Sequence, residues 1–257
     1  MIKIIDWNML WDNHNNNKLN YILSLKKKKT IIILEEVTPE HYKEINKYSD
    51  EYNIRYSLNY RKPGKYDSKQ RKLGIAILTS KDIEIVKAKC INRSLLPDRT
   101  LLVECKYKNE IIKVLGLHSI TGCDHKKAKS IQFLSFAEAI DKHKPDIVAF
   151  DANEPDIDIS DVSKMVFFDN KDKGKGARTF FETLNEDGLN DSYTFVFDKN
   201  KYVKDKPLVT SHIINGKLHK RYDFIFTKYK VKDCKYLLKE GIKYGSDHAI
   251  VECDFSI

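Results

Sequence analysis

Apolar residues along this chain occur in short runs or alternate with polar residues, and a few longer segments repeat them at helical spacing. The runs and alternations predict strands at IKIIDW, TIIIL, NIRYSL, LGIAILTS, IEIVKAK, RTLLVECKY, EIIKVLGLHS, DIVAF, RYDFIFT, KVKDCKYLL and AIVECDF. Helical spacing predicts helices at NKLNYILSLKKKK, TPEHYKEINKYS, DHKKAKSIQFLSFAEAIDKH and TFFETLNEDG. Hairpin-like strand successions mixed with helices predict an α/β chain of the α+β type with mixed sheets.

The longest predicted helix has an amphipathic pattern. Its predicted apolar face consists of Ile131, Leu134, Phe136, Ala137 and Ile140. The chain has 257 residues, no internal repeat and no long linker. We therefore predict a single domain over residues 1–257, large enough to bury a sizeable core.

Composition excludes several classes of protein. Hydrophobic residues make up 41% of the chain and charged residues 32%, which is typical of a globular protein rather than a disordered one. No apolar run approaches the roughly 20 residues that span a bilayer, and the start of the chain lacks a signal-peptide pattern. We expect a cytoplasmic protein with no stable membrane association.

The five cysteines are widely spaced, and none forms a C-x-x-C pair. This spacing argues against a disulfide framework or a cysteine zinc site. We interpret all five as free thiols, mostly buried. Cys123 lies in the polar stretch TGCDH, where a small loop residue explains it better than a reactive thiol.

The net charge of +9 suits a polyanionic partner such as nucleic acid. The loop YRKPGKYDSKQRK contains Arg61 and Arg71 beside tyrosines, a mixture that could hold a phosphate backbone and stack on bases. Arg178, in KDKGKGAR, is a third candidate substrate contact. A solvated surface loop remains the open alternative for these segments, and His212 and His219 are predicted to be exposed loop histidines.

Polar residues recur where predicted strands end. In FDANEP, Asp151 and Asn153 follow a buried run and share one side of the strand. A turn would explain this pair alone, but similar residues mark other strand ends: Asn8, Glu35, Glu36, His118, Asp223, Asp247 and His248. Carboxylates and amides are hard ligands for Mg²⁺ or Mn²⁺, and histidines serve as acids or bases.

The chain carries WN, LEEV, LHS, FDAN, RYDFIF and SDH in that order, over nearly its whole length. In this order the motifs resemble those of the endonuclease/exonuclease/phosphatase superfamily, the DNase I-like metal-dependent phosphoesterases. The resemblance implies a four-layer α/β sandwich in which two mixed sheets pack face to face with helices outside. It also implies a site at one edge of the sandwich.

The same resemblance implies roles for individual residues. Glu36 matches the principal metal ligand, and Glu35 stands where the family usually has glutamine. The implied metal set is Glu36, Asn8, Asp151 and Asp247, with Mg²⁺ or Mn²⁺ as the cofactor. The implied catalytic set is His248, its partner Asp223, His118, Asp151 and Asn153, and Asn153 would also hold the scissile phosphate.

The sequence departs from the family pattern in two places. Phe150 replaces a glycine, so the turn geometry there is expected to differ. Met9 and Leu10 follow the WN motif, where some apurinic endonucleases have an acid, and this argues against strict abasic-site activity. LEEVTPEHYKEI and LHSITGCDHKKAKSIQF look closer to the tyrosyl-DNA phosphodiesterase branch.

The implied function is a metal-dependent phosphodiesterase, most simply a nuclease acting on DNA in preference to RNA through a metal-bound, His248-assisted water. A phosphoinositide phosphatase, a sphingomyelinase-like enzyme and a tyrosyl-DNA phosphodiesterase-like repair enzyme are the enzymatic alternatives. A binding module that lost catalysis is the alternative of another class, but every implied ligand is present. A protein partner is possible and unidentified.

Overall fold

The structure, a computed structural model of the chain, describes residues 1–11, 17–24, 28–61, 73–172, 174–203 and 206–257. Within these ranges the helices are α1 (Asn17–Ser24), α2 (Pro39–Ile45), α3 (Gly122–His143), α4 (Gly176–Glu186) and α5 (Leu238–Lys243). Among them, no helix has both the length and the apolar character needed to cross a membrane. The prediction that the first helix extends through Lys28 and Lys29 is wrong, because both lie in the turn before the next strand, and residues 25–27 lie outside the described part of the chain.

The first sheet has six strands in the order β13-β14-β1-β2-β4-β3. Its strands β1 and β2 run parallel, and its other neighbouring pairs are antiparallel. The strand bounds are β1 (Ile2–Asn8), β2 (Thr30–Val37), β3 (Tyr52–Tyr56), β4 (Gly74–Ser80), β13 (Lys230–Leu237) and β14 (Ile250–Ser256).

The second sheet has six strands in the order β5-β6-β7-β8-β12-β9, with β7 and β8 parallel. A separate two-stranded hairpin, β10-β11, precedes β12. The bounds are β5 (Glu84–Lys89), β6 (Thr100–Tyr107), β7 (Glu110–His118), β8 (Ile147–Asp151), β9 (Asn190–Asp191), β10 (His212–Ile214), β11 (Leu218–Lys220) and β12 (Asp223–Thr227).

Three apolar clusters define the layers of the molecule. The first lies between the two sheets, with residues such as Ile4, Ile33 and Val103 from facing strands. The second packs α3 and α4 against the outer side of the second sheet, and the third packs α1 against the outer side of the first sheet. This arrangement of helices outside two mixed sheets confirms the predicted sandwich.

The apolar face predicted for α3 is only partly right. Phe136, Ala137 and Ile140 are buried, but Ile131 and Leu134 are 54% and 47% exposed. Helical geometry explains the difference, because a residue turns by about 100° per position and Ile131 and Leu134 lie on the side away from Phe136 and Ile140. Phe133 occupies the buried face instead, with Gln132 beside it.

Strand direction brings the polar residues together. Parallel β1 and β2 end at one edge of the first sheet, and parallel β7 and β8 end at the same edge of the second. Strands β12 and β14 run antiparallel to their neighbours β8 and β1, so each begins at this edge. The motif residues at these strand ends therefore meet at one place, as the sequence predicted.

The cysteine prediction is confirmed for four residues. Cys90, Cys105, Cys234 and Cys253 are buried free thiols. The side chain of Cys123 lies outside the described part of the chain.

Candidate active site

A histidine–carboxylate pair forms the centre of the site. His248, in the turn before β14, places its Nδ1 2.9 and 3.0 Å from the two carboxylate oxygens of Asp223, the first residue of β12. A carboxylate only accepts hydrogen bonds, so Nδ1 carries the proton and Nε2 is left to face the site. Nε2 lies 3.9 Å from Asp151 Oδ2.

The backbone around this pair is held from several sides. Ser246 donates its hydroxyl to the Asn8 carbonyl at 2.7 Å, and the His248 amide donates to the Ser246 oxygen at 3.1 Å. Trp7 Nε1 donates to the His248 carbonyl at 3.2 Å. The end of β1 and the histidine turn are thus joined through buried hydrogen bonds, which fixes the imidazole against Asp223.

Charge favours the protonated form of His248. Burial opposes ionisation of the ring, but the carboxylates of Asp223 and Asp151 outweigh it and raise the pKa of His248 to about 10. Burial, together with the charge of Asp223, raises the pKa of Asp151 to about 7. The site therefore holds an imidazolium beside a carboxyl group that titrates near neutrality.

Asp151 and Asn153 occupy one place, as the sequence predicted. Asn8 Nδ2 donates to Asp151 Oδ2 at 2.9 Å, and the backbone N–H of Asn153 donates to Asp151 Oδ1 at 2.8 Å. Asn153 Nδ2 lies 3.2 Å from the same Asp151 Oδ2 and 3.2 Å from the Ser119 carbonyl. These bonds orient the carboxylate of Asp151 and the amide of Asn153 toward a common centre.

Left-handed backbone conformations mark the strand ends at the site. Leu10, Glu36 and Asn153 have φ values of 51°, 54° and 49°. Glu36 lies where the pairing of β2 with β4 shifts register between Leu34 and Val37, which turns its side chain out of the regular alternation. Strained backbone of this kind, costing about 1–3 kcal/mol per residue, is typical of functional sites.

Glu36 and His118 face each other at this edge. His118 Nε2 lies 3.5 Å from Glu36 Oε1 and 3.8 Å from Asp151 Oδ2. Burial, with the charges of Arg99 and His248, holds the pKa of His118 well below its ordinary value. A neutral His118 can accept or donate one hydrogen bond at the site without adding charge.

Arg99 was missed in the sequence analysis. It ends a short 3-10 turn before β6 and places Nη1 3.4 and 3.5 Å from the two ring nitrogens of His118. Its charge is positioned beside Glu36 and Asp151, where a phosphate oxygen would be attracted. Only the position of an arginine directly before a buried strand could have signalled it, and that is a weak signal.

Side chains from α3 hold the loops that carry His118 and Asn153. Gln132 accepts from the Ile120 amide at 2.8 Å and donates to the His118 carbonyl at 3.1 Å. Lys129, which is buried, donates to the Asn153 carbonyl at 2.6 Å and pairs with Glu154 at 3.0 Å. The buried polar face of α3 thereby supports two strand ends at once.

A surplus of buried carboxyl groups lies under the site. Asp6 on β1 and Glu35 on β2 are 1% and 0% exposed. Burial and the neighbouring acids raise the pKa of Glu35 well above its ordinary value, and burial, with Asp223 and Asp151 nearby, does the same for Asp6. Glu35 stands where the family usually has glutamine, and its surroundings favour the protonated form of its carboxyl group.

The donor set fits a divalent cation. Glu36, Asn8, Asp151 and Asp247 offer carboxylate and amide oxygens, the ligands that Mg²⁺ and Mn²⁺ prefer. The raised pKa values of Asp151, Asp6 and Glu35 record an excess of buried acidic groups, which a cation would offset. Asp247 lies at the rim, 46% exposed, with Oδ1 3.8 Å from His248 Nε2.

Phe150 packs in the core, and the expected difference between the turn that follows it and the family's turn stays a prediction. Its backbone stays outside the left-handed region, and its ring is buried on the helix side of β8, stacked on Phe224 at a centroid distance of 5.5 Å. The chain thus accommodates a large residue where the family has glycine, because the side chain points away from the site into the aromatic cluster of α4.

The predicted substrate arginines have other partners. Arg61 forms a bidentate pair with Asp98, with N–O distances of 3.3 and 2.9 Å. Arg178 lies in the first turn of α4 and donates to the carbonyls of Val162, Ser163 and Met165. Arg71 lies outside the described residues. Contact of these arginines with substrate stays a prediction, and for Arg178 the geometry indicates a structural role.

Both histidines of SHIINGKLHK are predicted to be exposed in a loop; His219 is exposed but lies in strand β11, and His212 is neither exposed nor in a loop. His212 begins β10, is half-buried, and its ring centroid lies 4.4 Å from that of His248. A single bridge pairs the two residues, and the Ala249 amide donates to the Ser211 carbonyl at 2.6 Å. The hairpin therefore forms a wall of the site that the sequence pattern did not indicate.

Neither a protein-family model nor a curated protein sequence matches the chain. Solved structures match it over its full length. D. rerio TDP2 complexed with single strand DNA product is 13% identical with a TM-score of 0.66, and covers 100% of this chain and 99% of that one. An AP endonuclease from Archaeoglobus fulgidus is 18% identical with a TM-score of 0.65, and both chains are covered completely.

A third structure, the endonuclease/exonuclease/phosphatase from Bacteroides vulgatus, is 15% identical with a TM-score of 0.64, and covers 100% of this chain and 98% of that one. The chain therefore has the fold of the DNase I-like endonuclease/exonuclease/phosphatase superfamily. The resemblance seen in the sequence motifs is confirmed at the level of the fold.

Proposed function

We propose that this protein is a divalent-metal-dependent phosphodiesterase that hydrolyses nucleic acid, DNA in preference to RNA. The observation that carries the proposal is the Asp223–His248 pair facing Asp151, with Asn153, Glu36 and His118 around them. Positive charge and hydrogen-bond donors surround the place where phosphodiester attack develops negative charge. The net charge of +9 adds long-range attraction for a polyanion.

Individual side chains of the site have separate roles in the proposed reaction. Asp151, held by the side chain of Asn8 and the backbone N–H of Asn153, orients the attacking water and takes its proton. Asn153 Nδ2 donates to the scissile phosphate, and His248 offers Nε2–H to a phosphoryl oxygen while Asp223 supports its charge. Neutral His118 and the Arg99 guanidinium stabilise the opposite side of the phosphate.

The cation that the fold implies would be held by Glu36 with Asn8 and Asp151, and Asp247 lies at the rim of that set. When bound, Mg²⁺ or Mn²⁺ polarises the phosphoryl group and makes a bound water more acidic. The left-handed backbone at Glu36 and the donor bonds to Asp151 hold two of these carboxylates in place before an ion arrives.

The test is cleavage of supercoiled plasmid, single-stranded DNA and structured RNA, each with Mg²⁺, Mn²⁺ or chelator. Metal-dependent cutting is expected from the unmodified protein and strong loss from His248→Ala and Glu36→Gln. Full activity of either variant would contradict the mechanism. DNA binding without turnover of any phosphodiester would support the binding-module alternative instead.

A second candidate is removal of a tyrosyl adduct from a DNA 5′ end. The segments LEEVTPEHYKEI and LHSITGCDHKKAKSIQF, which resemble the tyrosyl-DNA phosphodiesterase branch, favour it. A 5′-tyrosyl oligonucleotide in the same panel separates this activity from nuclease action, because only the adduct is released. Phosphoinositide and sphingomyelin substrates cover the lipid alternatives.

Three expectations from the sequence stay predictions. They are the single-domain organisation over residues 1–257, the cytoplasmic location and the possible protein partner. Size-exclusion chromatography with limited proteolysis would test the first, because a single domain is cut only at exposed loops and termini.

A further inference from the structure

The ring of His212, in the β10-β11 hairpin, packs against the ring of His248. The centroid of the His212 ring lies 4.4 Å from that of His248 and 5.6 Å from that of Tyr222. The strand bridge between His212 and His248 and the bond from the Ala249 amide to the Ser211 carbonyl hold the two backbones together. His212 is therefore fixed in place rather than free on a loop.

Both rings donate a hydrogen bond from the same nitrogen, Nδ1. His212 Nδ1 lies 3.1 Å from the carbonyl oxygen of Asp247, which can only accept, so Nδ1 is the donor. His248 Nδ1 donates to Asp223 in the same way. Metal-binding histidines in proteins nearly always donate their second nitrogen to a carboxylate or a backbone carbonyl. Nε2 is therefore the candidate ligand atom of each ring, and on His248 a bound ion would replace the proton that this nitrogen carries.

Asp247 supplies an oxygen beside both rings. Its Oδ1 lies 3.8 Å from His248 Nε2, and its Oδ2 lies 3.7 Å from His212 Nδ1. Oδ1 is shielded from solvent and has no hydrogen-bond partner within the described part of the chain. One ligand atom from each of the three residues lies within 4.8 Å of the others.

This spacing is close to what a metal requires. An ion with bonds of about 2.0–2.2 Å holds tetrahedral ligands roughly 3.4 Å apart, so a contraction of less than about 1.5 Å completes the set. Two imidazoles and one carboxylate are a zinc-type ligand set with a fourth position open, whereas Mg²⁺ prefers oxygen ligands alone.

We propose that His212, Asp247 and His248 bind a zinc-class divalent ion at a second site, separate from the Mg²⁺ or Mn²⁺ set at Glu36 and Asn8. Asp247, which lies at the rim of the first set, would be a ligand of this second one. An ion there takes the position of the proton on His248 Nε2. Because that nitrogen is then unavailable to a phosphoryl oxygen, zinc inhibits the proposed phosphodiesterase.

Zinc binding is measured first, without substrate. Chelator-treated full-length protein is titrated with Zn²⁺ by calorimetry, and with Co²⁺ by visible absorption, which reports nitrogen ligation and low coordination number. We expect one equivalent to bind, and His212→Ala and Asp247→Asn each to weaken it by about tenfold or more. His219→Ala is the matched control, since it removes an exposed histidine from the same hairpin.

Two results would overturn the proposal. One is Zn²⁺ affinity that is equal in the unmodified, His212→Ala and Asp247→Asn proteins, with all three shown to be folded by thermal unfolding. The other is loss of Zn²⁺ binding in Glu36→Gln but not in His212→Ala, which would place the ion in the first set.

The inhibitory consequence rests on the proposed function and is tested separately. With Mg²⁺ present, the Zn²⁺ concentration that halves cleavage is expected to rise about tenfold in His212→Ala and to stay unchanged in His219→Ala. If no substrate is cleaved, the proposed function fails while the binding titration still decides whether the second site exists.

Discussion

Gly241 in α5 has no room for a side chain, and its neighbour is His248, the proposed catalytic histidine. A Cβ at this position would lie 2.0 Å from the His248 carbonyl oxygen and 3.3 Å from the Ala249 Cα. The same carbonyl accepts from Trp7 Nε1. The glycine therefore allows the helix to pack directly on the backbone that carries His248.

Replacing Gly241 by alanine sets two effects of opposite sign against each other. Alanine favours a helix by about 1 kcal/mol over glycine, so the change would stabilise α5 if space allowed. Since side-chain Cβ atoms do not come closer than about 3.0 Å to such a neighbour, helix and turn must separate by about 1 Å. Overpacking of this kind costs about 1–3 kcal/mol.

A separation of about 1 Å between α5 and the turn would also displace His248 in the active site. His248 is bonded to Asp223 at 2.9 Å, and Ala249 is bonded to Ser211 at 2.6 Å, so the turn has little freedom to absorb the movement. Misplacement of a catalytic group by about 1 Å can lower a rate by about 10²-fold. We expect Gly241→Ala to lower kcat by roughly that factor and the free energy of unfolding by about 1–2 kcal/mol.

The assay combines kcat on the cleaved substrate, chemical denaturation and the NMR resonance of the His248 Nδ1 proton. Lys239→Ala is the control, because it changes an exposed residue of the same short helix without touching His248. A Gly241→Ala protein with unchanged kcat, an unshifted Nδ1 proton and increased stability would refute the reasoning.

Three further predictions follow from the buried charges. Asp223→Asn is expected to lower kcat by about 10³–10⁴-fold, because the amide no longer holds the His248 proton on Nδ1; kinetics on a protein with unchanged circular dichroism checks this. Glu35→Gln should raise the free energy of unfolding at pH 7 by about 1–3 kcal/mol, because the unfolded chain ionises Glu35 and folding must neutralise it; urea denaturation measures it, and a loss of stability would count against a neutral Glu35. In chelator, the stability that His248 contributes should be complete below its ordinary pKa of 6.5 and lost as pH rises toward about 10. The expected fall in the free energy of unfolding is several kcal/mol, at about 1.4 kcal/mol per pKa unit. Denaturation at a series of pH values checks this, and an equal fall in Asp223→Asn would argue against the Asp223–His248 pair as its cause.

Local pattern was sufficient for most strands and for the motif residues. TIIIL, DIVAF and RYDFIFT are buried runs whose side chains leave no alternative to a strand in the core, and polar residues mark where these runs end. Asp151, Asn153, Asp223 and His248 could therefore be named before their positions were known. Their grouping depended on the resemblance of six ordered motifs, not on periodicity.

Several features could not be predicted from the sequence because they depend on contacts between distant parts of the chain. The buried face of α3 was misjudged since Ile131 and Leu134 are apolar, and only the position of the second sheet selects Phe133 instead. Arg99 lies 19 residues before His118, and no local signal marks it as a neighbour of that ring. The carbonyl partners of Arg178 at Val162 and Met165 also cannot be seen in a local pattern.

The sequence by itself determined most of the strands and helices, the mixed character of the sheets, and which residue types stand at the strand ends, whereas the sandwich followed from the resemblance of the motifs. These follow from hydrophobic spacing and short motifs, which are local properties. Tertiary structure alone decided that His212 lies against His248, that Asp6 and Glu35 share a buried position, and that Gly241 must be a glycine. Each of these is a contact between residues far apart in the chain, and its energy depends on a distance of a few ångströms that only the packed sheets and helices set.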